Sequence, residues 1–221
     1  MKNIPRIFAG ENIETGIIIP LQKDIMHYLT RVMRTDTCLV FGNGNEYNAK
    51  LTDDKKSLLV GEKTNHTDPS NDTILMFAPI KRTDDLINMA TQMGIRAFQP
   101  VITERTNASH INWERMQKIA TEAAEQSNRN SVPKIYPPIK FMNLDLKNTV
   151  FADERVAYGH KTNNRAGDIK SILIGPEGGF SDSEFTALDN AGATGISLGK
   201  TILRAELAAA VAIAKVVLNG N

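Results

Sequence analysis

A chain of 221 residues with 41% hydrophobic and 23% charged side chains has room for one medium and one small folded unit, and its composition excludes wholesale disorder. A formal net charge of +1 excludes bulk attraction to a polyanion, so any nucleic-acid contact must come from where the basic side chains sit. The single cysteine, Cys38, excludes an intrachain disulfide and a zinc site built on several thiolates; it fits a reducing, cytoplasmic setting, and no metal is expected.

The opening MKNIPRIFAGENIE carries a proline and polar residues where a secretory peptide needs a continuous apolar stretch, so no export is expected. From Ile17 to Val60 the chain favours short strands, IIIPL, TCLVF, NEYNAKL and SLLVGE, with Gly42-Asn43-Gly44-Asn45 as a turn between two of them. One short helix is expected there, His27 to Arg34. It places Arg31 and Arg34 three apart on one face, with His27 a turn before Arg31. That spacing suits either a basic stripe for RNA phosphates or an ordinary solvated face. Residues 1 to 70 carry nine Lys plus Arg and nine Asp plus Glu, so any stripe is local. The polar stretch Glu62 to Asp72, with Pro69 and no hydrophobic period, reads as a linker, which divides the chain into residues 1–70 and 71–221.

Beyond the linker the pattern alternates. A strand (TILMFAPI) leads to a helix over 82–93 stopped by Gly94, then a strand (RAFQPVI) and a helix over Asn112 to Ser127. Strands follow at Thr149 to Ala152 and Ser171 to Ile174, then a helix over 182–191, a strand at Gly195 to Leu198 and a last helix from about Leu203. Such alternation predicts an α/β fold with a mostly parallel sheet covered on both faces. The apolar stretch Ile202 to Leu218 contains Arg204, Glu206 and Lys215 and is shorter than the roughly 20 residues a membrane span needs, so it reads as a buried helix and no membrane partner is expected.

Two glycine loops stand out. In SILIGPEGGFSDSE, Ser171 to Glu184, a strand runs directly into Gly-Pro-Glu-Gly-Gly and then into a helix whose Ser181 and Glu184 have capping-box spacing. Adjacent glycines leave the backbone uncovered, which lets a flat ligand approach at the carboxyl end of a strand; the alternative is a plain turn. In GISLGKTILRAELAAA, Gly195 to Ala210, a strand, Gly199 and an alanine-rich helix repeat the arrangement. Gly199-Lys200-Thr201 mimics the end of a phosphate-binding loop, but position 194 is Thr where that motif requires Gly, so nucleotide-triphosphate hydrolysis is set aside.

The runs LIGPEGGFSDSE at Leu173 to Glu184 and SLGKTILRAELA at Ser197 to Ala208 strongly resemble the SPOUT methyltransferases, and in detail the bacterial ribosomal RNA small-subunit methyltransferase E family. PRIF at Pro5 to Phe8, HYLTRVMR at His27 to Arg34, MGIRAFQPVITERT at Met93 to Thr106 and EAAEQSNRNSVPKI at Glu122 to Ile135 extend the likeness, in order, over most of the chain. The resemblance implies a C-terminal trefoil-knotted α/β methyltransferase domain, an N-terminal PUA-like β-barrel that helps hold RNA, and a homodimer. It further implies N3-methylation of a uridine in 16S (small-subunit) rRNA or the assembled small subunit, with S-adenosylmethionine as cofactor. By position, the methyl donor would lie against Leu173, Gly175, Glu177, Gly178 and Gly179 in the first loop and Leu198, Gly199, Ile202 and Leu203 in the second. The likeness also strengthens the RNA reading of Arg31 and Arg34 and brings in Arg6 of the PRIF motif. The sequence departs from the family pattern at Asn88, Met89 and Gln92, where Gln, Lys and Glu are usual, at Lys200-Thr201, where Pro-Arg is common, and at Leu207, where Thr is.

Neutral uridine N3 carries a proton and is a poor nucleophile, so the site has to align the base and stabilise the anion left when that proton departs. Arg204 is the first choice for that charge, since it follows the second loop at a helix start where N–H groups also favour anions; binding a phosphate is its alternative. Glu206, two residues on, faces a different side and fits a structural or dimer-contact role better than catalysis. Glu177 inside the first loop either attracts the sulfonium charge or accepts the N3 proton, or it is a loop carboxylate that accepts backbone N–H bonds, and it is not assigned as the base. Gln126 and Arg129 reach RNA from another helix or cap that helix's end. Two rival functions stand beside this one: an RNA-binding or ribosome-assembly protein that keeps the fold without the reaction, and a methyltransferase of a different RNA target.

Overall fold

Side-chain alternation builds the first sheet. Strands β1 (Arg6–Phe8), β2 (Ile18–Pro20), β3 (Thr37–Gly42), β4 (Asn45–Leu51) and β5 (Ser57–Lys63) pair in the order β1-β3-β4-β5-β2; β1 runs parallel to β3 and the other pairs are antiparallel. Along β4, Tyr47, Ala49 and Leu51 point inward and Asn48 and Lys50 outward, the period a half-buried strand requires. The Asn-Gly turn forms as expected: Asn43 (φ 50°) and Gly44 (φ 75°) both adopt the left-handed conformation, which matches the twist of the β3–β4 hairpin. Leu29, Val40, Leu58 and Val60 fill the core beneath. The sheet curls but is not closed: among the described residues β1 and β2 remain its two edges, so the barrel implied by resemblance is only half realised.

The computed structural model describes residues 4–107, 112–161 and 168–218. The chain falls into two units, Met1–Pro69 with Thr121–Val132, and Ser70–Ala120 with Pro133–Asn221. In the first, helix α1 (Lys23–His27) continues through wider turns over Tyr28–Met33, so it starts four residues before the expected His27. It ends at Arg34, whose φ of 51° is left-handed. Arg34 is thus the residue that stops the helix, and the three-apart argument linking it to Arg31 does not apply, although both side chains are exposed.

The structure also corrects the reading of Arg6. Its side chain is 7% exposed, and its Nε donates to Glu46 Oε2 at 2.9 Å. Its Nη atoms donate to the carbonyls of Ala124 (3.2 Å) and Arg129 (3.0 Å) and to Asn130 Oδ1 (2.8 Å), while the guanidinium lies 4.5 Å from the Phe41 ring centre. These groups engage both Nη atoms and Nε, so none of the three stands free for an RNA phosphate.

The second unit holds β6 (Ile74–Phe77), α2 (Thr83–Gln92), β7 (Ala97–Ile102), β8 (Lys134–Ile135), β9 (Ile139–Lys140), β10 (Thr149–Ala152), β11 (Ser171–Ile174), α4 (Asp182–Asn190), β12 (Thr194–Ile196) and α5 (Ala205–Ile213). Helix α3 (Trp113–Gln126) passes from this unit into the first. The sheet order is β12-β10-β11-β6-β7-β8, with β9 also on β7, and every pairing is parallel. All four residues of β11 are buried, as a strand covered on both faces must be. Leu173 packs with Phe151, Phe180, Phe185 and Leu188 on the α4 side. The alanines of α5 (Ala205, Ala208, Ala209, Ala212) are buried, so their small side chains bring that helix close to α2, β10 and β11.

Candidate functional site

Four adjacent strands, β12, β10, β11 and β6, end at one edge of the parallel sheet, and the segments leaving them build the site. A crevice at the carboxyl ends, where strand order reverses, is where open parallel sheets take ligands. After β11 the chain forms Gly175-Pro176-Glu177-Gly178-Gly179 and enters α4 through the expected reciprocal cap: Ser181 Oγ accepts from the Glu184 N–H at 3.3 Å, and Glu184 Oε2 accepts from the Ser181 N–H at 2.9 Å. Glu184 Oε1 also accepts from the Glu104 N–H at 2.8 Å.

Backbone geometry explains both ends of this loop. A Cβ on Gly175 would stand 3.0 Å from the Phe180 ring, so any larger residue there would have to push that ring aside by a few tenths of an ångström. Gly179 has φ +69° and its N–H donates to the Pro176 carbonyl at 2.9 Å, closing a tight turn. Arg105 steadies the outside of the loop by donating to the carbonyls of Gly178 (2.9 Å) and Phe180 (3.3 Å). After β12, Ser197 and Leu198 lead to Gly199, with φ +128°, and Arg204 occupies the cap position of α5. Lys215 Nζ donates to the Ser197 carbonyl at 2.7 Å and ties this second loop to the end of the last helix.

Between the loops lies a cavity of about 660 Å³. It gathers Gly175, Glu177 and Gly179 from the first loop and Leu198, Gly199, Ile202, Leu203 and Arg204 from the second. Two expected residues are elsewhere. Leu173 is fully buried inside β11, where strand alternation turns it to the α4 side, and Gly178 faces a separate hollow with Arg105 and Arg115. Sequence reasoning missed Asp153 and Glu154, at the end of β10, and Lys81 and Arg82, after β6, all of which line the cavity. Their only signal is the strand order, which inserts β10 between β12 and β11 and sets β6 beside β11.

The charges around the cavity differ in how they are engaged. Asp153 is buried and accepts twice from Arg155 at 2.9 Å; Arg155 also pairs with Asp189 and stacks 4.2 Å from the Phe185 ring centre. Hydrogen bonds from Arg155 hold the Asp189 carboxyl below its usual range. Glu206, buried in the first turn of α5, lies 3.7 Å from Arg82. Burial pushes the Glu154 carboxyl up, Asp153 adds to the shift and Arg105 opposes it. Arg204 is exposed and, among the described residues, its side chain has no hydrogen-bond or ion-pair partner, so it is available to an anion. Of the residues at which the sequence departs from the expected pattern, Asn88 and Gln92 bond one another, with Gln92 Nε2 donating to Asn88 Oδ1 at 2.6 Å, and Lys200, Thr201 and Leu207 are exposed.

In the first unit Arg31, Arg34 and Gln126 are exposed, whereas Arg129 is half-buried, donates to Ser131 Oγ at 3.3 Å and is lowered in pKa by burial. Among the described residues no cluster of His, Cys, Asp and Glu could hold a metal ion, and no helix is long and apolar enough to cross a membrane.

Comparison with known proteins places this geometry in context. Residues 67–217 match the model of the RNA methyltransferase domain family. A ribosomal RNA small subunit methyltransferase E from Rickettsia conorii is 34% identical over 98% of this chain and 96% of its own. Among solved structures, a ribosomal RNA small subunit methyltransferase E from Neisseria gonorrhoeae, bound to S-adenosyl methionine, superposes with a TM-score of 0.82 at 26% identity over 96% of both chains. A probable rRNA-methyltransferase from Porphyromonas gingivalis gives 0.81 at 27% identity over 96% of this chain and 97% of its own.

Proposed function

Since this chain belongs to the ribosomal RNA small subunit methyltransferase E family, within the RNA methyltransferase family, we propose that it methylates N3 of a uridine in 16S rRNA with S-adenosylmethionine as methyl donor. In this reading residues 71–221 are the knotted SPOUT methyltransferase domain, residues 1–70 are the PUA-like unit that helps hold rRNA or the small subunit, and the working form is a homodimer. The observation that carries the proposal is the cavity between the two glycine loops. It is lined by backbone at Gly175, Gly179 and Gly199 and by apolar side chains at Leu198, Ile202 and Leu203, and its about 660 Å³ suits a nucleoside bearing an amino-acid tail.

When bound, S-adenosylmethionine supplies a methyl group on a positively charged sulfur. The chain's part is alignment and charge. Gly175, Glu177, Gly179, Leu198, Gly199, Ile202 and Leu203 hold the donor on loops pinned by the Ser181–Glu184 cap, by Arg105 and by Lys215, so little reordering is needed on binding. Arg204, exposed at the cavity and at the N-terminus of α5, stabilises the negative charge on the uracil oxygens once N3 has lost its proton. Glu206 is engaged with Arg82 and positions the start of α5. Arg31, Arg34 and Gln126 contact RNA from the first unit.

The test is transfer of labelled methyl groups to small subunits from a strain lacking this protein, with the product nucleoside identified by mass. 3-Methyluridine supports the proposal; another methylated nucleoside assigns a different target, and RNA binding without cofactor uptake assigns an assembly role. In the same assay Arg204→Ala should slow transfer roughly 10²- to 10³-fold while S-adenosylmethionine affinity stays within a few-fold. Full activity in that variant removes Arg204 from the mechanism.

A further inference from the structure

Four carboxylates line the cavity between the loops, and their surroundings separate them. Asp153 is taken up by Arg155, Glu206 by Arg82 and the first turn of α5, and Glu177 is exposed to water. Glu154 alone is half-buried and, among the described residues, without a hydrogen-bond or ion-pair partner. It is the second residue after β10, and β10 lies between the strands that feed the two loops, so Glu154 stands at the middle of the site. Its carboxylate rests against the turn at Gly179, where an added Cβ would fall 2.0 Å from Oε1. Glycine at 179 therefore both makes the tight turn and leaves room for this carboxylate to lie along it.

A carboxylate taken partly out of water without a partner destabilises the fold that carries it. Burial accordingly raises the pKa of Glu154 against the opposing pull of Arg105. Such a group is retained where a ligand completes its bonding. Resting on the methyl-donor reading above, we infer that Glu154 is the recognition carboxylate of the cavity and engages the donor's hydroxyl, amino or sulfonium group. The chemistry these three share is a hydrogen-bond donor or positive charge that an ionised carboxylate accepts.

Calorimetry on the full-length wild type and Glu154→Gln with S-adenosylmethionine, S-adenosylhomocysteine and 5′-methylthioadenosine tests this and identifies the group. The variant should lose roughly 10- to 100-fold in affinity for S-adenosylmethionine. Loss with all three ligands assigns the ribose hydroxyls, loss with the first two assigns the amino group, and loss with S-adenosylmethionine alone assigns the sulfonium. The ligand-free melting temperature of the variant should equal or exceed that of the wild type, because an unpaired, half-buried charge has been removed. Affinities within two-fold of wild type for all three ligands overturn the inference, as does weakened binding accompanied by a fall of several degrees in ligand-free melting, which marks a structural residue. A wild type that takes up none of the three overturns the methyl-donor reading itself.

Discussion

Replacing Arg6 by alanine separates a structural guanidinium from an RNA contact. The substitution leaves the Glu46 carboxylate, on a side chain 5% exposed, with one remaining hydrogen bond among the described residues, from Thr64 Oγ1 at 2.8 Å. It also removes one donor each from Asn130 Oδ1 and from the carbonyls of Arg129 and Ala124; the Ala124 carbonyl, in the last turn of α3, keeps the Arg129 N–H at 3.1 Å. Breaking a buried ion pair from one side costs about 3–5 kcal/mol, because the surviving charge stays desolvated. At roughly 2–4 °C per kcal/mol for a chain of this length, melting should fall by about 6–20 °C. Arg6→Lys keeps the charge but loses the planar fork, so it should recover only part of that loss. Trp113, the only tryptophan, belongs to the other unit, so the assay is hydrogen exchange at the β3 and β4 amides together with urea unfolding followed by circular dichroism. A cost below about 1 kcal/mol, combined with weaker RNA binding, would refute the buried assignment and restore Arg6 to the RNA surface.

Three further outcomes follow from the same geometry. Arg31→Ala with Arg34→Ala should weaken RNA binding and reduce the slope of log affinity against log salt by about 1.4–1.8, read by filter binding across a salt series, with S-adenosylmethionine affinity unchanged. Asp189→Asn should lower stability by less than about 1 kcal/mol at neutral pH, because Asp189 is largely exposed and screened. Since Arg155 depresses the folded-state pKa of Asp189, its contribution is full above the ordinary carboxylate value and is lost as pH falls through the lower folded value, so wild type and variant should converge in acid unfolding. Cys38, 2% exposed and pushed up to about 12 by burial, should resist thiol reagents at pH 8 until the protein is unfolded, as a time course of labelling in urea will show.

What could be read from the sequence was what local chemistry decides. The Asn43-Gly44 turn and the Ser181–Glu184 cap each depend on a few neighbouring residues, and both formed where expected. The glycine loops were equally legible, since strand, glycines and helix start are contiguous. What was hidden depends on partners distant in sequence. Arg6, by residue type, reads as a surface cation, and its burial depends on Glu46 and on groups 118 to 124 positions away. The three-residue β1 and the two-residue β8 and β9 are too short to show a period and exist through the strands beside them. Leu173 illustrates a finer limit: sequence identified its strand but not which face the side chain takes. Glu154 entered the cavity only because β10 inserts between two strands that come later in the chain.

The path of α3 bears on how the protein is made. Residues 121–132 complete a unit whose other residues end at Pro69, and Arg6 and Glu46 near the amino end wait for Ala124, Arg129 and Asn130. During synthesis at roughly 5–20 residues per second, that wait lasts several seconds after residue 69 is added. Over that interval the nascent amino-terminal segment carries an acid–base pair without its capping groups, a window in which a holding chaperone has something to grip, and a fragment cut after the linker would remain in that unfinished state.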